Sequence, residues 1–258
     1  MSAASRAKRA RIARRARVAA ARKAKRARIA RRARVTRRQK QIRAYELAYP
    51  SQRITYKGRY IKSKGKDIRL NVDVCNFIQP DSFALNFAKV SGATKTKNLD
   101  MKAWLVQKAV CKYMTYIYDE QNIGYTEFWQ FPFETLALRC GDCEDGAILM
   151  ASTMIAAGIP ASRVRVFAGW VKTRNPRNPW GGHGYTVYLR NCDLLTVPLD
   201  WCYYPDPNVH IYKKLPLIAN KNYGNAWFSF NNNKSWGEKA VRFSSRASLE
   251  EKFKCLIS

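Results

Sequence analysis

An α+β fold is predicted for this chain, and three features of the sequence predict it. Two segments with helical periodicity come first, and three strand-like segments follow them. The last two strand-like segments are separated by a turn short enough to make them an antiparallel hairpin.

The first helix is expected from Leu99 to Asp119. Asn98 suits its N-cap, and Leu99, Ala103, Val106, Val110, Tyr113 and Ile117 recur at spacings of four and three, the stripe of a core-facing helix. Gly124 and the aromatic, proline-containing run Tyr125 to Phe133 then read as a loop. The second helix is expected from Cys143 to Ala157, with an apolar face of Ala147, Met150, Ala151, Met154 and Ile155. Gly158 stands where a C-terminal cap belongs, and Pro160 lies just beyond it. Strands are expected over Arg163 to Val171, His183 to Arg190 and Leu194 to Asp200. An Asn-, Pro- and Gly-rich loop from Arg174 to Gly182 separates the first two.

Outside this core, residues 45–97 mix short apolar alternations, such as Ile68 to Val74, with turn residues and lysines. Extended segments and loops packed on the core are expected there. Residues 207–258 form a C-terminal extension, whose run Trp227-Phe228-Ser229-Phe230 followed by three asparagines either packs on the core or lines the cleft. The organisation is therefore a tail (1–44), a packing segment (45–97), a core (98–206) and an extension (207–258).

The charge is lopsided. The chain of 258 residues carries a formal +30, and residues 1–44 hold 19 Lys and Arg with no acid, leaving 29 basic and 18 acidic residues beyond them. The tail repeats itself: Arg6 to Val18 reads RAKRARIARRARV, and Lys23 to Val35, 17 positions on, differs only in its first residue. Its apolar residues are nearly all Ala, so it cannot bury enough surface to offset its ordering entropy, although Ala and Arg both favour helix. A disordered or fraying tail that becomes helical on a polyanion is expected. Arg9, Arg11, Arg14, Arg15, Arg26, Arg28, Arg31 and Arg32 are its nucleic-acid contacts. A plain solvated tail and an Arg-rich mitochondrial presequence are the competing readings.

Seven cysteines, an odd number without a secretory signal, argue for a reducing cytoplasmic setting rather than for secretion, and the basic tail suggests a place beside nucleoid or virion. No apolar run is long enough to span a membrane.

The chemistry centres on Arg139-Cys140-Gly141-Asp142-Cys143-Glu144-Asp145. A cysteine that opens a helix sees the positive end of the macrodipole and unpaired N–H groups, which favour thiolate, the competent nucleophile. Glu144 and Asp145 oppose this if they face the sulfur, so a basic partner is needed. Only His183 and His210 are available. If the two last strands pair across the turn at Asn191-Cys192-Asp193, partners have numbers summing to about 383 to 385, and His183 faces residues 200 to 202. Asp200 then falls where it can orient the imidazole, the logic of an acyl-transfer triad. The backbone N–H of Cys143 would form half of an oxyanion hole, with Trp129 or Gln130 supplying the second donor. Structurally, a cysteine is more often a small buried hydrophobe, a strand histidine a satisfied polar group and a strand-end Asp a turn residue. Cys140 and Cys143 also make a Cys-x-x-Cys, but no second pair or metal-spaced His accompanies it, and no βαβ context suggests a redox motif.

Trp129-Gln130-Phe131-Pro132-Phe133-Glu134-Thr135-Leu136, then Gly141-Asp142-Cys143-Glu144-Asp145, Gly158-Ile159-Pro160, Gly182-His183 and Leu199-Asp200 together resemble the transglutaminase-like superfamily, and within it the bacterial and phage-borne transglutaminase-like cysteine proteinases. The resemblance covers roughly 110 residues. It implies a papain-like core with the nucleophile at a helix N-terminus packed on an antiparallel sheet. It implies Cys143 as nucleophile, His183 as base, Asp200 as its partner and Asp145 as a structural acid near the helix start. It implies no organic cofactor and a protein or peptide amide substrate. The calcium dependence of the animal transglutaminases is not expected, because no acidic cluster is visible in the sequence, and no metal ligand is assigned. The expected activity is that of a cysteine hydrolase or acyltransferase, tethered to nucleic acid by its tail. The alternative is a non-enzymatic virion or nucleoid protein that keeps the fold as a scaffold.

Overall fold

The computed structural model describes residues 16–30, 33, 36, 51–64 and 66–237. Residues 16–30 form helix α1, exposed along its whole length, as Ala and Arg propensity allows without any apolar stripe to bury. This stretch of the tail is thus helical. None of the helices described is long and apolar enough to cross a membrane.

The globular part is α+β. A five-stranded sheet has the order β7-β6-β5-β8-β9, with β5 at Val164–Lys172, β6 at Trp180–Leu189, β7 at Thr196–Leu199, β8 at Tyr223–Phe230 and β9 at Ser235–Gly237. Every neighbouring pair in it is antiparallel. The hairpin between β6 and β7 has the register expected: Thr186 opposes Leu199 and Leu189 opposes Thr196, each pair summing to 385. The sheet does not stop at residue 206. β8 lies beside β5, so the region beyond Pro205 supplies two strands, with Phe230 fully buried and Trp227 exposed.

Helix α6, Cys143–Ala156, runs against β5 and β6. Every residue from Glu144 to Met154 is buried, more than the one-sided stripe read from the sequence, because helices cover the faces that the sheet does not. Those helices are α2 (Ser82–Val90), α3 (Leu99–Tyr113) and α5 (Pro132–Leu138). Ile148, Leu149, Met150 and Met154 are each fully buried, and such side chains contribute about 1.5–3 kcal/mol apiece. The other face of the sheet carries a smaller cluster, Phe167, Val171, Tyr185, Val187, Tyr223 and Ala226.

Three expectations need correction. Helix α3 starts at its Asn98 cap, whose side chain accepts from Asp100 N and Met101 N, but it ends at Tyr113 rather than Asp119. The next residues, Thr115–Tyr116, form strand β3, which pairs in parallel with β4 (Cys140–Gly141). Their amides go to that neighbour: Thr115 N donates to Arg139 O and Ile117 N to Gly141 O. The short helix α4 (Asp119–Asn122) follows. Second, the run to Phe133 is not all loop. Pro132 takes the first turn of α5, where its missing N–H costs nothing. Third, residues 45–97 are not only extended. After the hairpin of β1 (Thr55–Ser63) and β2 (Lys66–Asp73), helix α2 is capped by Asp81, which accepts from Ala84 N at 3.0 Å.

Candidate active site

Cys143 is the first residue of α6, with Asp142 as N-cap. Asp145 fastens this corner. Its Oδ2 accepts from Asp142 N at 3.2 Å, and its Oδ1 accepts from Gln130 N at 2.7 Å, tying the loop before α5 to the helix start. Strand β6 crosses directly over the helix N-terminus. Gly184 N donates to Cys143 Sγ at 3.3 Å. A Cβ on Gly184 would stand 3.0 Å from Glu144 Cα, so a residue without one allows this approach.

His183 precedes Gly184 and is buried. Its Nε2 lies 2.8 Å from Asp200 Oδ2, with both side chains 1% exposed. Asp200 curls in just past the end of β7. Its carboxylate also accepts from Tyr223 Oη at 3.0 Å and from the amides of Cys202, Tyr203 and Tyr204. Burial pushes its carboxyl up, but the His183 hydrogen bond and charge, with the amides of Cys202 and Tyr203, outweigh this and hold it below the usual carboxylate range. The imidazole ring is flanked by Tyr185 and Tyr203. The other histidine, His210, packs against Trp104 and Tyr212 and takes no part.

The electrostatics of the cysteine differ from expectation. Burial pushes the Cys143 thiol well up, and Glu144 and then Asp142 push it further, against the weaker pull of the Gly184 amide. Cys143 Sγ donates to Glu144 Oε2 at 3.1 Å. The helix N-terminus alone does not win over two adjacent acids at this half-buried cysteine.

Nor do Trp129 and Gln130 point at that sulfur. Trp129 is buried, stacked on Tyr56 and Phe230, with its indole N–H given to Glu127 Oε1 at 2.9 Å. Gln130 is fully buried and donates from Nε2 to Cys140 O at 3.3 Å. The Trp129 indole N–H is thus engaged, and the Gln130 amide is closed off from solvent. Cys140 itself has its sulfur 3.3 Å from Asn122 Oδ1.

The sequence reading missed the clamp supplied by Trp201. Its indole N–H donates to Cys143 O at 3.1 Å, so the residue after Asp200 holds the backbone of the nucleophile. It also missed an acidic cluster. Ligand oxygens of Asp119, Asp142 and Asp145 lie within 4.8 Å of one another, as do those of Asp119, Glu127 and Glu144. This corrects the expectation that no such cluster exists. The dense acids of Asp142-Cys143-Glu144-Asp145 were its only local signal, because Asp119 and Glu127 arrive from distant turns.

The cluster has features of a cation site. Asp119 Oδ1, Asp142 Oδ1 and Glu144 Oε1 are buried without a hydrogen-bond partner among the described residues. Burial, and next the neighbouring Asp142, raise Asp119 to about 7 and Glu144 well above the usual range. All-oxygen donors of this kind suit a hard divalent ion.

Of the tail arginines, Arg26 and Arg28 lie exposed on α1. Arg9, Arg11, Arg14, Arg15, Arg31 and Arg32 fall outside the described residues.

Fold and site together define an α+β protein with a cysteine at a helix start, overlaid by a strand whose buried histidine is paired with an aspartate from the end of the next strand. No protein-family model matches the chain, and no curated protein does. Among solved structures it is similar to Legionella pneumophila LapG at 20% identity and TM-score 0.46, covering 67% of this chain and 84% of that one. It is similar to the calcium-bound form of that protein at 19% identity and TM-score 0.40, covering 66% and 98%. It is also similar to a Cytophaga hutchinsonii protein, described provisionally as a cysteine protease, at 19% identity and TM-score 0.36, covering 63% and 53%.

Proposed function

We propose that this chain is a transglutaminase-like cysteine hydrolase or acyltransferase acting on amide bonds of a protein or peptide. The observation that carries the reading is the buried His183–Asp200 pair, whose histidine sits on β6 beside Gly184, the residue that bonds to the Cys143 sulfur. Asp200, held as a carboxylate, fixes the imidazole with Nε2 toward itself, which leaves Nδ1 to exchange a proton with the sulfur. Sγ attacks the carbonyl carbon and the carbonyl π pair moves to oxygen. Collapse expels the amine, which takes its proton from His183, and leaves a thioester. Water or a second amine, deprotonated by His183, then releases the acyl group and regenerates the thiol.

A divalent cation of the calcium class fits this reading. Asp119, Glu127, Asp142 and Glu144 would hold it, and its charge would offset the carboxylates that oppose thiolate at Cys143. The tail would tether the enzyme to nucleic acid in a reducing compartment.

Iodoacetamide at mild pH, with and without added calcium, tests the reading. Cys143 should be alkylated ahead of the other six cysteines, and faster with calcium than in chelator. The scaffold reading is favoured by the thiol's hydrogen bond to Glu144, which suits an idle site. Even labelling of all cysteines in both conditions would decide for the scaffold.

A further inference from the structure

An acyl-transfer cysteine needs donors for the negative oxygen that forms when it attacks, and in this site one is unaccounted for. Cys143 N–H, in the first turn of α6, has no acceptor within its own helix and can supply one. Trp129 and Gln130 are poorly placed to supply the other, since the indole N–H is bonded to Glu127 and the Gln130 amide, bonded to Cys140 O, is fully buried. Gly184 N–H is turned to the sulfur itself.

A further polar side chain near the helix start comes from β3. Tyr116 stands opposite Gly141 in the parallel β3–β4 pair, two residues before the nucleophile. Its ring lies 5.9 Å from that of Trp201, whose indole N–H is bonded to Cys143 O. Tyr116 is 39% exposed, so a substrate can reach it, and its hydroxyl bonds to no described residue. That hydroxyl therefore has no hydrogen-bond partner among the described residues, and its backbone is bonded into the Gly141–Cys143 corner through Ile117 N and Gly141 O.

We propose that Tyr116 donates the second hydrogen bond to the oxyanion formed on attack by Cys143, a catalytic role that rests on the reading of Cys143 as nucleophile. Partial desolvation of the ring raises the phenol above its ordinary range, and the charges of Cys143 and Asp142 raise it further, so it stays a donor at ordinary pH. The phenol keeps its proton throughout. It stabilises the negative oxygen while the carbon–sulfur bond forms, and the hydrogen bond weakens again as the carbonyl reforms and the leaving group departs.

Two reagents separate this role from a structural one. p-Nitrophenyl acetate acylates the sulfur through a tetrahedral oxyanion and releases p-nitrophenolate. Iodoacetamide alkylates the same sulfur by displacing iodide, with no oxyanion. Tyr116→Phe in the full chain should slow acylation of Cys143 about 10²-fold while leaving its alkylation rate at the wild-type value. Acylation at the wild-type rate overturns the proposal. So does an equal loss in both reactions, which would make Tyr116 a packing residue for the corner. If wild-type Cys143 is favoured by neither reagent over the other cysteines, the reading of the site falls and takes the proposal with it. That outcome is seen in the wild type before any variant is made.

Discussion

His183 Nε2 and Asp200 Oδ2 are joined at 2.8 Å with essentially no access to solvent, and the same carboxylate collects a tyrosine hydroxyl and three main-chain amides. Hydrogen bonds of this kind fix both the charge of the aspartate and the orientation of the imidazole.

Asp200→Asn keeps the shape but presents an amide where His183 now meets a carboxylate. The ring is then free to adopt the wrong tautomer. Acylation of Cys143 by p-nitrophenyl acetate should fall on the order of 10³- to 10⁴-fold. Stability should also drop by about 1–3 kcal/mol, because at least one buried donor loses its acceptor. Stopped-flow release of p-nitrophenolate and thermal unfolding measure the two effects. A variant with wild-type acylation would remove Asp200 from the chemistry.

Gly146 lies one turn into α6, where the Trp201 indole crosses it. A Cβ there would stand 2.3 Å from Trp201 Nε1, the atom that donates to Cys143 O. In an ordinary helix interior, Gly to Ala gains about 0.5–1 kcal/mol. Here the indole must move, and overpacking of this kind costs about 1–3 kcal/mol. Gly146→Ala should therefore lower the melting temperature and slow alkylation of Cys143 as well. The sign decides between the two effects: a melting temperature raised by the alanine would show that the indole yields without loss.

The register that brings His183 to Asp200 was legible before any coordinates, because the Asn191-Cys192-Asp193 turn and two short strands leave little freedom in pairing. The helix opening at Cys143 was legible from its cap residues and from Gly158 and Pro160. Long-range partners were not legible. The end of α3 was misread because Ile117 continues the helical spacing, while its amide is claimed by Gly141, 24 positions on. The cluster of Asp119 and Glu127 with Glu144 is likewise a product of tertiary packing. The raised thiol could not be read either, since the sign depends on whether Glu144 turns toward the sulfur, and it does.

Asp119 gives a pH dependence with a definite sign. Burial first, and Asp142 next, raise its carboxyl to about 7 in the folded protein. The unfolded chain ionises it near the ordinary value of about 3.9. Between those two values the unfolded state binds fewer protons than the folded one, so stability falls as pH rises through the window and levels off above about 7. Glu127, Glu144, Asp142 and Asp145 are shifted the same way and add to the slope. In chelator, the wild type should lose melting temperature between pH 4.5 and 7.5 more steeply than Asp119→Asn does. Calcium should restore stability to the wild type mainly at the upper end, where the cluster is ionised, and should do less for the variant. Parallel pH profiles for the two proteins would discount Asp119, and a calcium response equal in both would move the ion elsewhere.

The tail should bind polyanions independently of this chemistry. Residues 1–44 hold 19 cations and no acid, and the described helix α1 is exposed throughout, with Arg26 and Arg28 free to meet phosphate. Each phosphate neutralised releases counterions. If roughly 6 to 10 are engaged, affinity should weaken by about 10³ to 10⁵ between 50 and 200 mM salt. Sequence preference should be slight, because a repeated Ala/Arg segment offers little to read base edges. Fluorescence anisotropy with a labelled duplex, for the full chain and for a chain lacking residues 1–44, measures this directly. Truncation should abolish most of the binding and leave the alkylation rate of Cys143 unchanged. Undiminished binding would relocate the interface to residues 45–258, which carry 29 basic residues against 18 acidic ones. A fall in Cys143 reactivity on truncation would instead mean that the tail reaches the cleft, where its cations could offset Asp142 and Glu144.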